Sequence, residues 1–179
     1  MEKSDVRRQL LKNMMYGRLY GAGISKMAQT AKVPEAQMKA VNDSFDRMFP
    51  GMKRMMNEVE ALGMRRLREE GEGYVLTKGG RRLPAEDDRL YALVNFLIQG
   101  TSAEILKQNI MKLDAAGLTD MLIAPVHDEV VLSVPKADQK EIALVVQECM
   151  TTREGWEVPL LAGLPDVGER WGELEPIVM

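Results

Sequence analysis

The chain has one histidine, His127, and two acidic residues follow it directly, Asp128 and Glu129. Apolar runs flank the three: Met121 to Ala124 before them and Val130 to Leu132 after. Short β-branched runs around a polar centre predict two strands joined by a tight turn. Asp and His suit such a turn because they tolerate unusual backbone angles better than most residues. Two carboxylates at a hairpin tip, backed by strands, suit a hard divalent cation. A plain acidic surface turn has the same local sequence, so the rest of the chain must separate the two readings.

Near the start, Arg8, Lys12 and Tyr16 are spaced four apart and form one slowly drifting stripe on a helix face. Two cations and a ring suit a triphosphate and a base, although a solvated amphipathic helix shows the same spacing. Leu11, Met14, Met15 and Leu19 populate the other side. Asn95 and Gln99 are also four apart. Their amides could bond each other, cap a backbone group, or read base edges and sugars.

The elements that must carry these residues can be read in order. Residues 4–19 predict a helix with Ser4 or Asp5 as its cap, loosened or ended by Gly17, Gly21 and Gly23. A short helix over 25–32 follows. Val33-Pro34 marks a boundary, and a helix over 35–48 comes next, with Met38, Val41, Phe45 and Met48 apolar. Phe49-Pro50-Gly51 breaks it. A long helix over 52–69 has Met55, Met56, Val59, Leu62 and Met64 as its apolar side. Gly73 to Thr77, a Lys78-Gly79-Gly80 turn, and Arg81 to Leu83 predict a hairpin. Residues 85–88 cap a helix that continues to about Ala116, with Gly100 as an interruption and Gly117 as the stop. After the 121–134 hairpin, a helix over 138–150 and a short buried strand at Val158-Pro-Leu-Leu161 complete the reading.

Composition bounds the class. A length of 179 residues fits one domain or a large piece of one, and 45% apolar residues is ordinary for a folded protein. Cys149 is the single cysteine, which excludes an intrachain disulfide and a cysteine-based zinc site. No run approaches the ~18 apolar residues of a membrane span. The segment Met1 to Asp5 lacks the apolar character of a secretion signal, so a cytoplasmic setting is expected. The 14 methionines suggest a helical core filled with flexible apolar side chains. Residues 1–32 carry seven basic residues against two acidic ones, a net +5, while the whole chain is −3. A basic end on an acidic body points toward phosphate, from nucleotide or nucleic acid.

Several stretches agree with one family. Arg8-Gln-Leu-Leu-Lys12, then Tyr16-Gly17, then Tyr20-Gly21 resembles motif B of the family A DNA polymerases. Pro34-Glu-Ala through Phe45 to Phe49-Pro50-Gly51 is similar to the fingers helices downstream of it. Gly80-Arg-Arg-Leu-Pro84 resembles the family's Gly-Arg-Arg element, and Asn95 with Gln99-Gly-Thr-Ser-Ala-Glu-Ile-Leu-Lys107 resembles its Gln-Gly-Thr helix. Val126-His-Asp-Glu-Val130 looks like motif C, and Val158-Pro-Leu and Trp171 sit where the family places a last strand and a Trp. The resemblance covers nearly the whole chain in the family's order.

It implies a role for each candidate residue. Arg8 and Lys12 would hold the β- and γ-phosphates of the incoming nucleotide, and Lys12 would be placed to give a proton to the leaving pyrophosphate. Tyr16 would lie near the sugar, where the family carries Phe or Tyr; Tyr there is associated with easier acceptance of dideoxynucleotides. Tyr20 would stack beside the templating base, with Gly21 and the Arg81–Arg82 pair also at the DNA. Asn95 and Gln99 would touch template and primer in the minor groove, whose degenerate acceptor pattern allows sequence-independent reading. His127 would lie near the primer terminus. Asp128 would hold catalytic Mg²⁺ with Glu129 beside it, in a two-metal mechanism with ions about 3.5–4 Å apart.

The sequence also departs from the family. Motif A, an Asp-Tyr-Ser-type strand with the other catalytic Asp, precedes motif B in these enzymes and is not in these residues. The thumb and the 3′–5′ exonuclease are not in them either. Pro125 stands where a Gln commonly precedes the Val-His-Asp, and Tyr91 where an Arg is common. The segment from Pro84 to Asn95 is shorter than usual.

The expectation is therefore an α+β chain: a mostly helical fingers portion over 1–70, then a palm portion over 71–179 with helices backing a small antiparallel sheet. Its function would be templated nucleotidyl transfer from a dNTP to a primer 3′-OH, on primer-template DNA. A partner chain would supply motif A and the thumb, as in a split phage or bacterial polymerase gene, and the isolated chain would be inactive. The alternative keeps the fold as a non-catalytic remnant that binds DNA or dNTP. A helical interaction protein explains the Met-rich helices but not the order of the motifs.

Overall fold

The computed structural model describes residues 6–178, with side chains from Leu11 onward. The expected cap at Ser4 or Asp5 lies outside the described residues. The described residues are α+β, helices with three small two-stranded antiparallel sheets. It forms two compact units, 1–101 and 102–179.

The first unit begins with α1 (Val6–Leu19), α2 (Ile24–Ala31), α3 (Glu35–Met48) and α4 (Pro50–Glu70). Met14 of α1, Met27 and Ala28 of α2, and Met38 and Phe45 of α3 share one buried cluster. These are the positions that helical periodicity turns inward. Phe49-Pro50-Gly51 ends α3 as expected, but the next helix starts sooner than the sequence suggests. Pro50 opens α4, where its fixed φ fits and its missing N–H costs nothing. The inner side of α4 is Met55, Met56, Val59, Gly63 and Leu67. Met64, expected there, is exposed, because Gly63 occupies the inward position instead. Gly71, at φ 79, closes the helix in the left-handed conformation.

Strands β1 (Gly73–Leu76) and β2 (Arg82–Ala85) pair from Gly73↔Ala85 to Leu76↔Arg82, the expected hairpin. The helix expected from residue 85 onward is broken. A 3₁₀ segment, Asp87–Ala92, comes first, and Arg89 there leaves helical geometry at φ −125 and ψ 27. Only then does α5 (Leu93–Ala115) begin. The break seats Leu90 on Gly73 and Leu93 on Gly63, where the side chains lie so close that a Cβ on either glycine would overlap them. Val59, Val75, Leu90, Leu93 and Val94 form the second buried cluster. Gly100 does not interrupt α5. It is buried, and a Cβ there would run into Leu83. The residue that weakens a helix in isolation lets this one lie against the hairpin.

In the second unit Gly117, at φ 77, follows α5 as its stop, with Leu118 N–H returning to the Leu113 carbonyl. Strands β3 (Leu122–Val126) and β4 (Glu129–Leu132) pair antiparallel, with an irregularity between Leu122 and Ala124. Helix α6 (Gln139–Met150) backs them. Leu113, Leu118 and Val146 are the buried core, with Val130, Leu132, Met121 and Ile142 packed on it. The expected buried strand at 158–161 is not formed. Leu160 alone bridges Thr152, by two backbone hydrogen bonds of 2.8 and 2.9 Å, while Val158 and Leu161 are exposed. An apolar run marks a surface that some partner can cover; it does not create a strand by itself. The last sheet joins β5 (Asp166–Val167) to β6 (Glu175–Pro176), too short and polar to leave a pattern in sequence.

Candidate polymerase site

On the first unit, α1 ends in an exposed row. Lys12 Nζ lies 5.8 Å from the centre of the Tyr16 ring, a cation–π distance. Tyr16 in turn stacks near-parallel with Tyr20, centroids 6.2 Å apart and planes 17° from each other. The Tyr20 hydroxyl receives a long hydrogen bond, 3.4 Å, from Gln99 Nε2 on α5. Spacing of four along one helix thus becomes a continuous surface of ammonium, two rings and an amide. Arg8 lies in α1, but its side chain is outside the described residues.

Gly21 follows at φ +76, and a Cβ on it would overlap the ring of Tyr91. Asn95 lies one turn before Gln99 on α5. Its Oδ1 is buried with no hydrogen-bond partner among the described residues. A buried acceptor left without a partner costs about 1–3 kcal/mol.

The arginine pair diverges. Arg81 turns to α5, its Nη2 donating to the Gly100 carbonyl at 3.4 Å, and its own N–H donates to Thr77 Oγ1 at 2.9 Å. Arg82 pairs with Glu72 at 2.6 Å, and its guanidinium carbon lies 3.8 Å from the Tyr74 ring centre. Arg66 stands at 4.1 Å from the same ring and donates from Nη1 to the Tyr74 carbonyl at 2.8 Å. Half of Arg82 remains exposed.

Beneath this row, α1 is held by a cluster that sequence reasoning missed. Arg18 donates from Nη1 to Asn42 Oδ1 at 2.8 Å, and its Nη2 forms an ion pair with Asp46 Oδ1. Lys53 reaches the other oxygen of Asp46 at 3.0 Å. Burial works against the charge on Asp46, but the hydrogen bonds and positive charges of Lys53 and Arg18 prevail and hold its carboxyl below the usual range. A signal for Arg18 was available: it lies four residues beyond buried Met14, a charge on an apolar face. An open apolar groove of about 340 Å³, lined by Leu11, Met14, Val41, Phe45 and Met48 among others, also runs between α1 and α3. It flanks the face away from Lys12 and Tyr16.

On the second unit, Val126 pairs with Glu129, so the turn of the β3–β4 hairpin is His127 and Asp128 alone. His127 adopts φ 54, one of two positive values at non-glycine residues among those described. A left-handed residue that is not glycine costs about 1–2 kcal/mol, and such strain clusters at functional sites. His127, Asp128 and Glu129 are all exposed. Two adjacent carboxylates offer hard oxygen donors of the kind Mg²⁺ takes together with phosphates and water. No cluster of three or more His, Cys, Asp or Glu able to hold a metal exists among the described residues. No helix among them is long and apolar enough to cross a membrane.

These geometries meet with comparisons to known proteins. The family model for DNA polymerase family A matches residues 1–173. The chain is 34% identical to the DNA polymerase of Mycobacterium phage D29 over 174 residues, 96% of this chain and 27% of that protein. It is 31% identical to the DNA polymerase of Mycobacterium phage L5, covering 97% of this chain and 28% of the other. DNA polymerase I of Streptococcus pneumoniae serotype 4 is also 31% identical, over 93% of this chain and 20% of that protein. Among solved structures, the POL domain of Pol1 from M. smegmatis, in complex with DNA primer-template and dNTP, superposes with a TM-score of 0.72 at 27% identity. That match covers 86% of this chain and 28% of the other. The chain belongs to DNA polymerase family A, and it spans roughly a quarter of the length of its phage relatives.

Proposed function

We propose that this chain is the C-terminal fingers-and-palm portion of a DNA-directed DNA polymerase, residues 1–70 serving as fingers and 71–179 as palm. It takes part in templated transfer of a nucleotidyl group from a dNTP to a primer 3′-OH. The observation that carries this reading is the β3–β4 tip. A strained His127 presents exposed Asp128 and Glu129, in a chain whose family match runs from residue 1 to 173.

Each residue has a task suited to its surroundings. Arg8 and Lys12 bind the triphosphate. The Tyr16 ring beside Lys12 is the wall against which sugar and base settle, and Tyr20 continues that wall toward the template. Lys12 is exposed at the end of this row and is the proton donor available to the leaving pyrophosphate. Asn95 and Gln99, with Gly21, Arg81 and Arg82, contact the duplex. The unpaired Asn95 Oδ1 gains a partner when DNA or its water arrives. His127 lies against the primer terminus.

Asp128, with Glu129 beside it, would hold Mg²⁺, which would supply Lewis-acid stabilisation of the charge that develops during nucleotidyl transfer. The opposing carboxylate comes from outside these 179 residues. The setting is the cytoplasm of a bacterium or a phage-infected cell.

Primer extension by the purified chain tests the proposal. No incorporation is expected from the chain alone, and extension is expected when a polypeptide carrying the motif A strand and thumb is added. Templated extension by the unaided chain would overturn the need for a second carboxylate. In the complemented enzyme, Asp128→Ala should abolish turnover. A remnant that merely binds DNA or dNTP would lose little.

A further inference from the structure

We propose that Arg18 and Asp46 are positioning residues: their pairing sets the pose of α1 and thereby places Lys12 and Tyr16 for the nucleotide. The proposal rests on the functional reading above for the role of Lys12 and Tyr16. At about 100° of rotation per residue, Arg18 lies roughly 160° from Tyr16 and 120° from Lys12 around the helix. It points to the side that packs, and they point to the side that is open.

The Arg18 side chain is 11% exposed and that of Asp46 15%, so this is a desolvated pair rather than a surface contact. Its geometry is a fork. One guanidinium nitrogen serves Asn42 and another Asp46, both on α3, and the guanidinium carbon lies 5.5 Å from the centre of the Phe45 ring. Asp46 uses its second oxygen for Lys53, in the first turns of α4. One carboxylate therefore ties three helices. An open groove beside Leu11 and Met48 runs between α1 and α3, next to the buried contact of Met14 with Phe45. A hydrogen bond to Asn42 and an ion pair to Asp46 from one planar guanidinium restrain rotation and tilt in a way that apolar contact does not. Small misplacements matter at such a site: about 1 Å can cost up to 100-fold in rate.

Lysine keeps the charge but loses the fork, which makes Arg18→Lys the informative variant; Asp46→Asn is the second, should lysine prevent folding. Two readouts separate positioning from bulk stability. The first uses spin labels on exposed Met15→Cys in α1 and Lys39→Cys in α3, in a Cys149→Ser background. The distance distribution should be narrow in the parent chain and broadened or shifted by Arg18→Lys or Asp46→Asn. The second is binding of a fluorescent dATP analogue with Mg²⁺. Arg18→Lys should weaken it about tenfold, and by less than about twofold when Lys12→Ala is also present, because the misplaced group is then already gone. An unchanged distance distribution would overturn the proposal, as would an equal loss of affinity in both backgrounds. If the unaltered chain binds no nucleotide, the functional reading fails, and the distances alone then decide whether the pair sets the helix.

Discussion

The ring of Tyr91 lies directly on Gly21, so close that no other residue's Cβ fits between them. Gly21 stands at φ +76, just beyond α1 and the Tyr16–Tyr20 stack. Gly21→Ala therefore meets two penalties: left-handed strain of about 1–2 kcal/mol and overlap worth about 1–3 kcal/mol. Urea unfolding should show a loss of about 2–5 kcal/mol. Tyr91→Ala in the same chain should return the overlap part, so the double variant should be less destabilised than the two singles summed. Strict additivity would show that the ring gives way freely.

The left-handed backbone of His127 makes a prediction at the candidate metal tip. His and Asn enter this region with least penalty, while β-branched residues resist it. His127→Asn should leave stability within about 0.5 kcal/mol, and His127→Val should cost about 1–2 kcal/mol. Denaturant midpoints check both. Equal stability of the two would mean that the turn relaxes to another geometry.

In the second unit Asn109, 3% exposed, joins α5 to the end of α6. Its Nδ2 donates to the Met150 carbonyl at 2.9 Å, and its Oδ1 accepts from Thr152 Oγ1 at 3.1 Å and Lys112 Nζ at 3.0 Å. Asn109→Ala strands several buried groups at once and should cost about 2–4 kcal/mol. Thermal melting is the measurement, and a shift of under about a degree would show the network to be idle.

Acid should act through Asp46. Burial opposes the charge on its carboxyl, but Lys53 and Arg18 outweigh burial, so the folded carboxyl titrates below the ordinary value of 3.8. The unfolded chain takes up the proton first as pH falls. The stabilisation is complete above about pH 4 and fades as pH drops through the folded value. Asp46→Asn should be less stable than the unaltered chain at pH 7, with the gap closing below about pH 3.8. A gap constant from about pH 7 to about pH 3 would remove Asp46 from the acid response.

What could be read along the chain depended on range. The stop at Gly117, the two-residue tip at His127–Asp128, and helices α2, α3 and α6 follow from signals a few residues wide. The break at Arg89 does not, because it answers to Gly63 and Gly73, whose bare backbones receive Leu93 and Leu90. Gly100 reads as a flaw in a helix until the neighbouring hairpin explains it. Val158 to Leu161 reads as buried because apolar composition registers a need for cover and not its presence.

By itself the sequence determined the family, through ordered motifs, and the α+β class, through hydrophobic periods that local sterics impose on any folded copy. It put Lys12 and Tyr16 on one helix stripe and named Tyr20 and Gln99 separately. Only the tertiary structure brought Gln99 to Tyr20 at the end of that stripe, and it alone tied α1, α3 and α4 through the carboxylate of Asp46. The physical reason is that an ion pair or a long-range hydrogen bond leaves no periodic trace. Tyr20 and Gln99 are 79 residues apart, Arg18 and Asp46 lie on different helices, and each meeting depends on how every element between them packs.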